Sequence, residues 1–324
     1  MRIIDHRLEG FVPGPGLYRL SAEEYHADPC PEPSLSSSIA KLLIDRSPEH
    51  AYLAHPRLGG PQEDSDPTRP KEIGTAAHKL LLGQGRDLRM VEADDWKKPE
   101  HRRQRAEAYE VGACPILQPD LLKAEGIADQ ALARLAKVPG CEGFQSAPAE
   151  IVAIARDRSG AWLRIMMDRV EITDQGAIIW DVKTGDQAAA PQGLGRRIEG
   201  MAMEVQAAFY VHVLGLLLPK LQGHILFRWV FIENDPPHAV TVAEADGAGM
   251  HVGERKVALA LHRWNASLRR SVWPGYPTQI IRAEYPEWAA RRWAEREELD
   301  PTVADVAWSL DKSPWRPLDM GDAA

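Results

Sequence analysis

The chain has 324 residues, of which 44% are hydrophobic and 27% charged, enough apolar material for a sizeable core. Its net charge of −8 excludes a uniformly basic nucleic-acid coat and leaves local basic clusters as the place for any phosphate contact. Three scattered cysteines, Cys30, Cys114 and Cys141, form no CxxC pair or disulfide framework; no apolar run reaches a membrane span, and MRIIDHRLEG lacks a secretory apolar core, so a cytoplasmic protein is expected.

Residues 1–33, rich in Pro and Gly, read as an extended lead-in. LSSSIAKLLI then predicts a helix capped by Ser36, Ser37 or Ser38, with Ile39, Leu42 and Leu43 on its apolar stripe. A polar loop over 60–70 precedes KEIGTAAHKLLLG, which predicts a second helix stopping near Gly83. Residues 84–118 are irregular and charged, with a helix over 99–110, and 119–137 is a strongly periodic helix.

From residue 148 the pattern changes. AEIVAIARD, AWLRIMMDRVEI and AIIWDVKTG are three β-type runs separated by turn residues at 158–160 and 173–176, an antiparallel meander. A helix over 200–218, strands over 224–233 and 238–245, a helix over 250–270 and a surface helix over 286–299 follow. The expected organisation is one α/β domain over residues 1–300, helical in its N-terminal part, and a flexible tail over 301–324.

The meander places chemistry. Asp181 and Lys183 are two apart at the end of an apolar strand and so share a face. A fold about the middle of 173–176 sets Asp168 opposite Asp181, and a fold about Ser159 sets Glu150 opposite Asp168. Stacked carboxylates repel, and hard Mg²⁺ or Mn²⁺ is the natural occupant of such a cluster. Such a cation lets water attack a phosphodiester near neutral pH, and a neighbouring lysine offsets charge in the transition state. The alternative is structural: Asp181–Lys183 and Asp168–Arg169 as ion pairs at strand ends.

Read in order, these residues resemble the PD-(D/E)xK nuclease superfamily: Asp168, then Asp181-Val182-Lys183. GTAAH at 74–78 is similar to the G-x-x-x-H motif of its RecB-like branch, and QAAFY at 206–210 to the Q-x-x-x-Y motif. The LSSSIAKLL opening at 35–43 and WPGYP at 273–277 extend the likeness to the exonuclease VIII (RecE-type) nuclease domain of phages and prophages. Met167 stands where that family often has Pro. The resemblance implies a restriction-endonuclease-like α/β core, a mixed sheet with the antiparallel meander flanked by helices. It implies metal ligation by His78, Glu150, Asp168 and Asp181, and catalytic roles for Asp168, Asp181, Lys183, Gln206 and Tyr210. It further implies Mg²⁺ or Mn²⁺ as cofactor and exonuclease action 5′→3′ on linear double-stranded DNA. A ring-like homo-oligomer and a RecT-like annealing partner belong to the same expectation. Arg196, Arg197, Arg102 and Arg103 are candidate phosphate contacts; the bland alternative is a solvated surface. The competing functions are an endonuclease or helper nuclease of the same superfamily, and a non-catalytic DNA-binding module. The three scattered cysteines exclude its iron–sulfur subtype.

Overall fold

The apolar, β-branched runs of the meander form the middle of a sheet in a computed structural model that describes residues 2–5, 10–59, 68–300 and 302. In chain order the first elements are β1 (Ile3–Asp5), β2 (Gly16–Arg19), α1 (Ala22–His26), α2 (Ser37–Asp45), α3 (Pro48–Ala54) and α4 (Arg69–Leu82). Then come β3 (Leu88–Val91), α5 (Pro99–Glu110), β4 (Cys114–Leu117), α6 (Gln118–Leu135), β5 (Ala149–Arg156), β6 (Trp162–Ile172) and β7 (Ala177–Gly185). The last are α7 (Pro191–Gly200), α8 (Met203–Leu217), β8 (Ile225–Glu233), β9 (Val240–Ala243), α9 (Gly247–Arg270) and α10 (Glu287–Leu299).

Among the described residues, seven strands form one mixed sheet in the order β1-β2-β5-β6-β7-β8-β9. The expected α/β fold, a mixed sheet with an antiparallel meander flanked by helices, is present. The meander has the expected register: Ile151 lies opposite Met167 and Arg169 opposite Trp180. Its turns are local chemistry. Asp157 Oδ1 accepts from the backbone N–H of Ser159 and of Ala161, both at 2.9 Å, and Thr173 Oγ1 accepts from Gly176 N–H at 3.2 Å. β7 and β8 pair in parallel over nine residues, from Ala177–Ile225 to Gly185–Glu233. A parallel pair needs a crossover, and α7 and α8 supply it.

Two expectations are corrected, and one helix is added. The lead-in contains β2, which pairs with β5 inside the sheet, and α1, which is closed by a capping box of Ser21 and Glu24. Its bulky apolar residues are few, so local pattern hides a strand that the sheet supplies from outside. Residues 84–118 contain a separate parallel pair, β3 and β4. The helix expected over 200–218 is present as α8, and a further helix, α7, precedes it, set off by Ala202, whose φ is 47°. The polar loop at 60–67 lies outside the described residues.

α8 is apolar on all sides and buries ten of its fifteen residues, the pattern of a core helix. It packs with α2 and α9 on one face of the sheet, where Trp229, Phe209, Phe231 and Trp264 are fully buried. Each such side chain contributes roughly 1.5–3 kcal/mol. α4 and α6 cover the other face through Ala76, Ala77, Leu81, Ile127 and Ala131 against Trp180 and Val182. No single helix among the described residues is long and apolar enough to cross a membrane.

The chain divides into two compact units, Met1–Tyr276 and Pro277–Ala324. In the second, α10 carries a Glu287–Arg291 pair at 2.6 Å, and Arg292 lies over the Trp288 ring. The expected tail, 301–324, lies outside the described residues apart from Thr302.

Candidate active site

β6 and β7 part company at a specific point. Their pairing runs from Ile172–Ala177 to Arg169–Trp180, one step short of Asp168 and Asp181. There the Asp168 side chain takes over from the backbone: Val182 N–H donates to Asp168 Oδ2 at 2.6 Å. The other oxygen, Oδ1, is 3.4 Å from His78 Nε2, which α4 brings across the sheet. α4 reaches this place because it is tethered at its start. Arg69 grips Asp120 of α6 at 2.7 and 2.9 Å. Buried Glu72 accepts from Arg105 Nε at 2.7 Å, Tyr109 Oη at 2.6 Å and Trp96 Nε1 at 3.2 Å. Gly83, at φ 70°, ends the helix in the left-handed conformation that favours glycine.

Asp181 is buried, 4% exposed, on the last stretch of β7. Gln206 Nε2 donates to its Oδ1 at 2.7 Å. Lys183 Nζ lies 2.6 Å from its Oδ2. That contact is an ion pair without hydrogen-bond angles, so Oδ2 is a buried acceptor that receives no directed hydrogen bond. Glu150 stands in β5 with a left-handed backbone, φ 50°, a costly conformation for a strand residue. Gly85 approaches it so closely that a Cβ there would lie 3.1 Å from Glu150 Oε1.

The electrostatics follow. Burial pushes the Asp181 carboxyl up, and the charge of Asp168 adds to this against Lys183 and Gln206. Burial also raises Asp168, but His78, Lys183 and the Val182 N–H outweigh it and hold that carboxyl below its ordinary value. Burial lowers His78, yet Asp168, Glu150 and Asp181 raise it above the ordinary imidazole value. Lys183 is likewise raised, its burial overcome by Asp181 and Asp168. Burial raises Glu150 despite His78.

The structure thus pairs His78 with Asp168 and sets Lys183 and Gln206 against Asp181, with Glu150 near enough to His78 and Asp168 to feel their charge. Tyr210 shares a helix face with Gln206, but its hydroxyl donates to the Met166 carbonyl at 2.9 Å, bracing β6. Arg197 stacks over Phe231 at 4.6 Å with its Nε buried and without a hydrogen-bond partner, and its charge bears on Lys183. Arg196 is exposed. Arg102 and Arg103 are exposed on α5, bonded to the Lys97 carbonyl at 2.7 Å and paired with Glu107 at 3.5 Å. Arg105 of the same basic run serves Glu72 instead of a ligand. Sequence reasoning missed Lys41 of α2, whose Nζ donates to the Met201 carbonyl at 3.3 Å. Burial lowers its pKa, and the charge of Lys183 lowers it further. Its signal was there, inside the LSSSIAKLL opening.

Two clefts reach residues of the cluster. One, about 1190 Å³, has Arg19, Gly85, Arg86 and Glu150 on its walls; the other, about 570 Å³, has Lys71, Thr75, His78 and Thr184. Glu150 faces the first cleft and His78 the second.

The donor set, carboxylates with one imidazole, suits a hard divalent cation. Among the described residues, no three His, Cys, Asp or Glu side chains gather closely enough to hold an ion. Lys183, rather than a third carboxylate, stands against Asp181. The chemistry of the donors fits the cation, with Lys183 carrying the compensating charge in this arrangement.

Comparison with known proteins bears on the fold and the family. A structure from Eubacterium rectale titled "Putative exonuclease" superposes with a TM-score of 0.54 over 84% of this chain and 98% of its own, at 12% identity, a likeness of fold. A structure titled SSO0001 aligns over 72% of this chain and 86% of its own at 14% identity, with a TM-score of 0.25. No curated protein matches the chain. The family model described as PD-(D/E)XK nuclease superfamily matches residues 35–273, a span that holds every residue of the cluster, and members of that superfamily generally use divalent metals. The chain belongs to the PD-(D/E)XK nuclease superfamily.

Proposed function

We propose that this nuclease is a Mg²⁺- or Mn²⁺-dependent exonuclease that digests linear double-stranded DNA from its ends, 5′→3′, in phage-type recombination. The observation that carries the catalytic part is the meeting of Asp168, Asp181 and Lys183 with His78 at the parting of β6 and β7. The exonuclease part rests on likeness to exonuclease VIII in the LSSSIAKLL opening and WPGYP, beside the GTAAH, DVK and QAAFY motifs. From that likeness come the proposals of a homo-oligomer and a RecT-like annealing partner. The three cysteines, all free and buried, suit a reducing cytoplasm.

A divalent cation held by Asp168 and Asp181, with His78 and Glu150, would supply Lewis-acid polarisation of the phosphate and acidify the attacking water. The chain's own groups do the rest. Gln206 fixes the Asp181 carboxylate through Oδ1, and the Val182 N–H fixes Asp168 through Oδ2. Lys183 holds a positive charge where the phosphoryl oxygens gain negative charge. Arg197 and Lys41 add two cations on the Lys183 side, suited to neighbouring phosphates.

Incubating linear and covalently closed circular DNA with the protein and Mg²⁺ tests this reading. Loss of the linear form alone, with a labelled 5′ end released first, is the expected result. Cut circles would make it an endonuclease, and intact DNA of both kinds a binding module.

A further inference from the structure

Next to Asp168 in β6 lies a second buried charge. Arg169 is 8% exposed. Its Nη1 donates to the carbonyls of Ala147 at 2.6 Å and Gln145 at 3.2 Å. Its Nη2 donates to those of Leu82 at 3.0 Å and Leu81 at 3.2 Å. Phe144 covers its face at 5.2 Å. No carboxylate among the described residues forms an ion pair with it, and burial lowers its pKa. Burying a cation without a counter-ion is costly. Four carbonyl dipoles offset the cost, two of them at the negative end of α4.

The four carbonyls are not scattered. Leu81 and Leu82 follow His78 by three and four residues, on the same face of α4. Ala147 precedes Glu150 by three residues at the entry to β5, and Ala149 is the cross-strand partner of Arg169 itself. Asp168 is its chain neighbour. One rigid, planar fork therefore ties together the three segments that bring His78, Glu150 and Asp168 from distant parts of the sequence.

We propose that Arg169 is the positioning residue that holds the three segments in place so that His78, Glu150 and Asp168 can close on a divalent cation. It touches carbonyls and an aromatic ring and acts through its neighbours. The inference rests on the reading of His78, Glu150 and Asp168 as ligands. A lysine offers one point charge and cannot reproduce two pairs of parallel donors.

Mn²⁺ binding to the full chain without DNA, followed by electron paramagnetic resonance at a temperature where circular dichroism shows each protein folded, tests it. The set is the parent, R169Q, R169K, H78A, R169Q/H78A and the core control I127A. R169Q is expected to weaken Mn²⁺ binding about 10–100-fold, the usual effect of losing a group that orients ligands. R169K should recover part of the loss, and I127A should bind as the parent does. The effect of R169Q should shrink once His78 is gone. Parent-like affinity in R169Q, an equal loss in I127A, or an undiminished effect in the H78A background would each overturn the proposal. If R169Q does not fold, R169K carries the test, and parent-like affinity there overturns it. Cleavage is assayed separately: a parent that binds Mn²⁺ and leaves DNA intact sinks the nuclease reading alone. A parent that binds no Mn²⁺ overturns the ligand reading and this inference with it.

Discussion

Two clusters of buried charge share strand β6 and are built to opposite rules. Around Asp28, at Arg164, every acceptor is served. Ser34 donates through its N–H at 2.9 Å and its hydroxyl at 2.6 Å, and His55 Nε2 and Arg164 Nη1 stand at 3.3 Å. Burial alone would raise Asp28, yet these partners hold its carboxyl below the ordinary value. Four residues along, Asp181 and Asp168 face each other, Asp181 is pushed up, and its Oδ2 lacks a directed donor. A buried carboxylate whose oxygens are both served by donors is held ionised; one pushed up by burial and a facing carboxylate costs stability and is a candidate for chemistry.

The largest expected effect separates the two clusters by activity. Lys183→Ala should lower the cleavage rate on the order of 10²–10³-fold, the loss typical of one electrostatic donor, measured at a temperature where circular dichroism shows the variant folded. Parent-like rates on linear DNA would end the assignment of Lys183. The converse holds at Asp28. Asp28→Asn leaves Arg164 buried without its charge partner and should destabilise the fold by about 3–5 kcal/mol in urea unfolding, while the remaining folded protein cleaves normally. A small stability change there would erase the contrast.

The pH dependence carries the same distinction. Asp28 has a lowered folded pKa, so its stabilisation is present above the unfolded value of 3.8 and is lost as pH falls through the folded value. Asp181 has a raised folded pKa, so ionising it costs stability at neutral pH, and the cost disappears as pH falls below the unfolded value. In metal-free buffer at pH 7, Asp181→Asn should therefore raise the melting temperature. Asp168→Asn should lower it, because that carboxylate is the one held ionised by His78, Lys183 and the Val182 N–H. Scanning calorimetry of the two variants decides whether the site is asymmetric; equal shifts of the same sign would mean it is not.

The smallest effect is at Gly85. Its φ of 112° and the 3.1 Å approach of a Cβ to Glu150 Oε1 make alanine there both strained and crowded. Gly85→Ala should cost roughly 1 kcal/mol and raise the Mn²⁺ concentration needed for half-maximal cleavage. An unchanged Mn²⁺ dependence would free Glu150 from any part in binding.

Much of this was legible in the chain because the signals were local. The meander, its register and the face shared by Asp181 and Lys183 follow from alternation and two turn sequences. Helices α4, α5, α6 and α9 follow from periodicity and caps. What stayed hidden is what only tertiary contact defines. β2 becomes a strand because β5 offers it an edge, and α7 is separated from α8 by one left-handed residue, Ala202. His78 reads from residues alone as a core histidine, and only resemblance to the RecB-like motif drew attention to it. Arg105 and Arg169 look like ordinary surface and strand arginines; their roles depend on a buried Glu72 and on four carbonyls far along the chain.

The hydrogen bond from Val182 to Asp168 makes one amide proton a reporter. In a regular ladder that N–H would be guarded by a backbone carbonyl and would exchange with solvent deuterium only when the strand opens. Here its guard is a side chain that also faces His78. Any event that turns the Asp168 carboxylate toward a different partner unguards the Val182 amide without unfolding β7. Deuterium uptake at that single position therefore reads the state of the carboxylate, and the sheet's last step and the site's charge are one and the same bond.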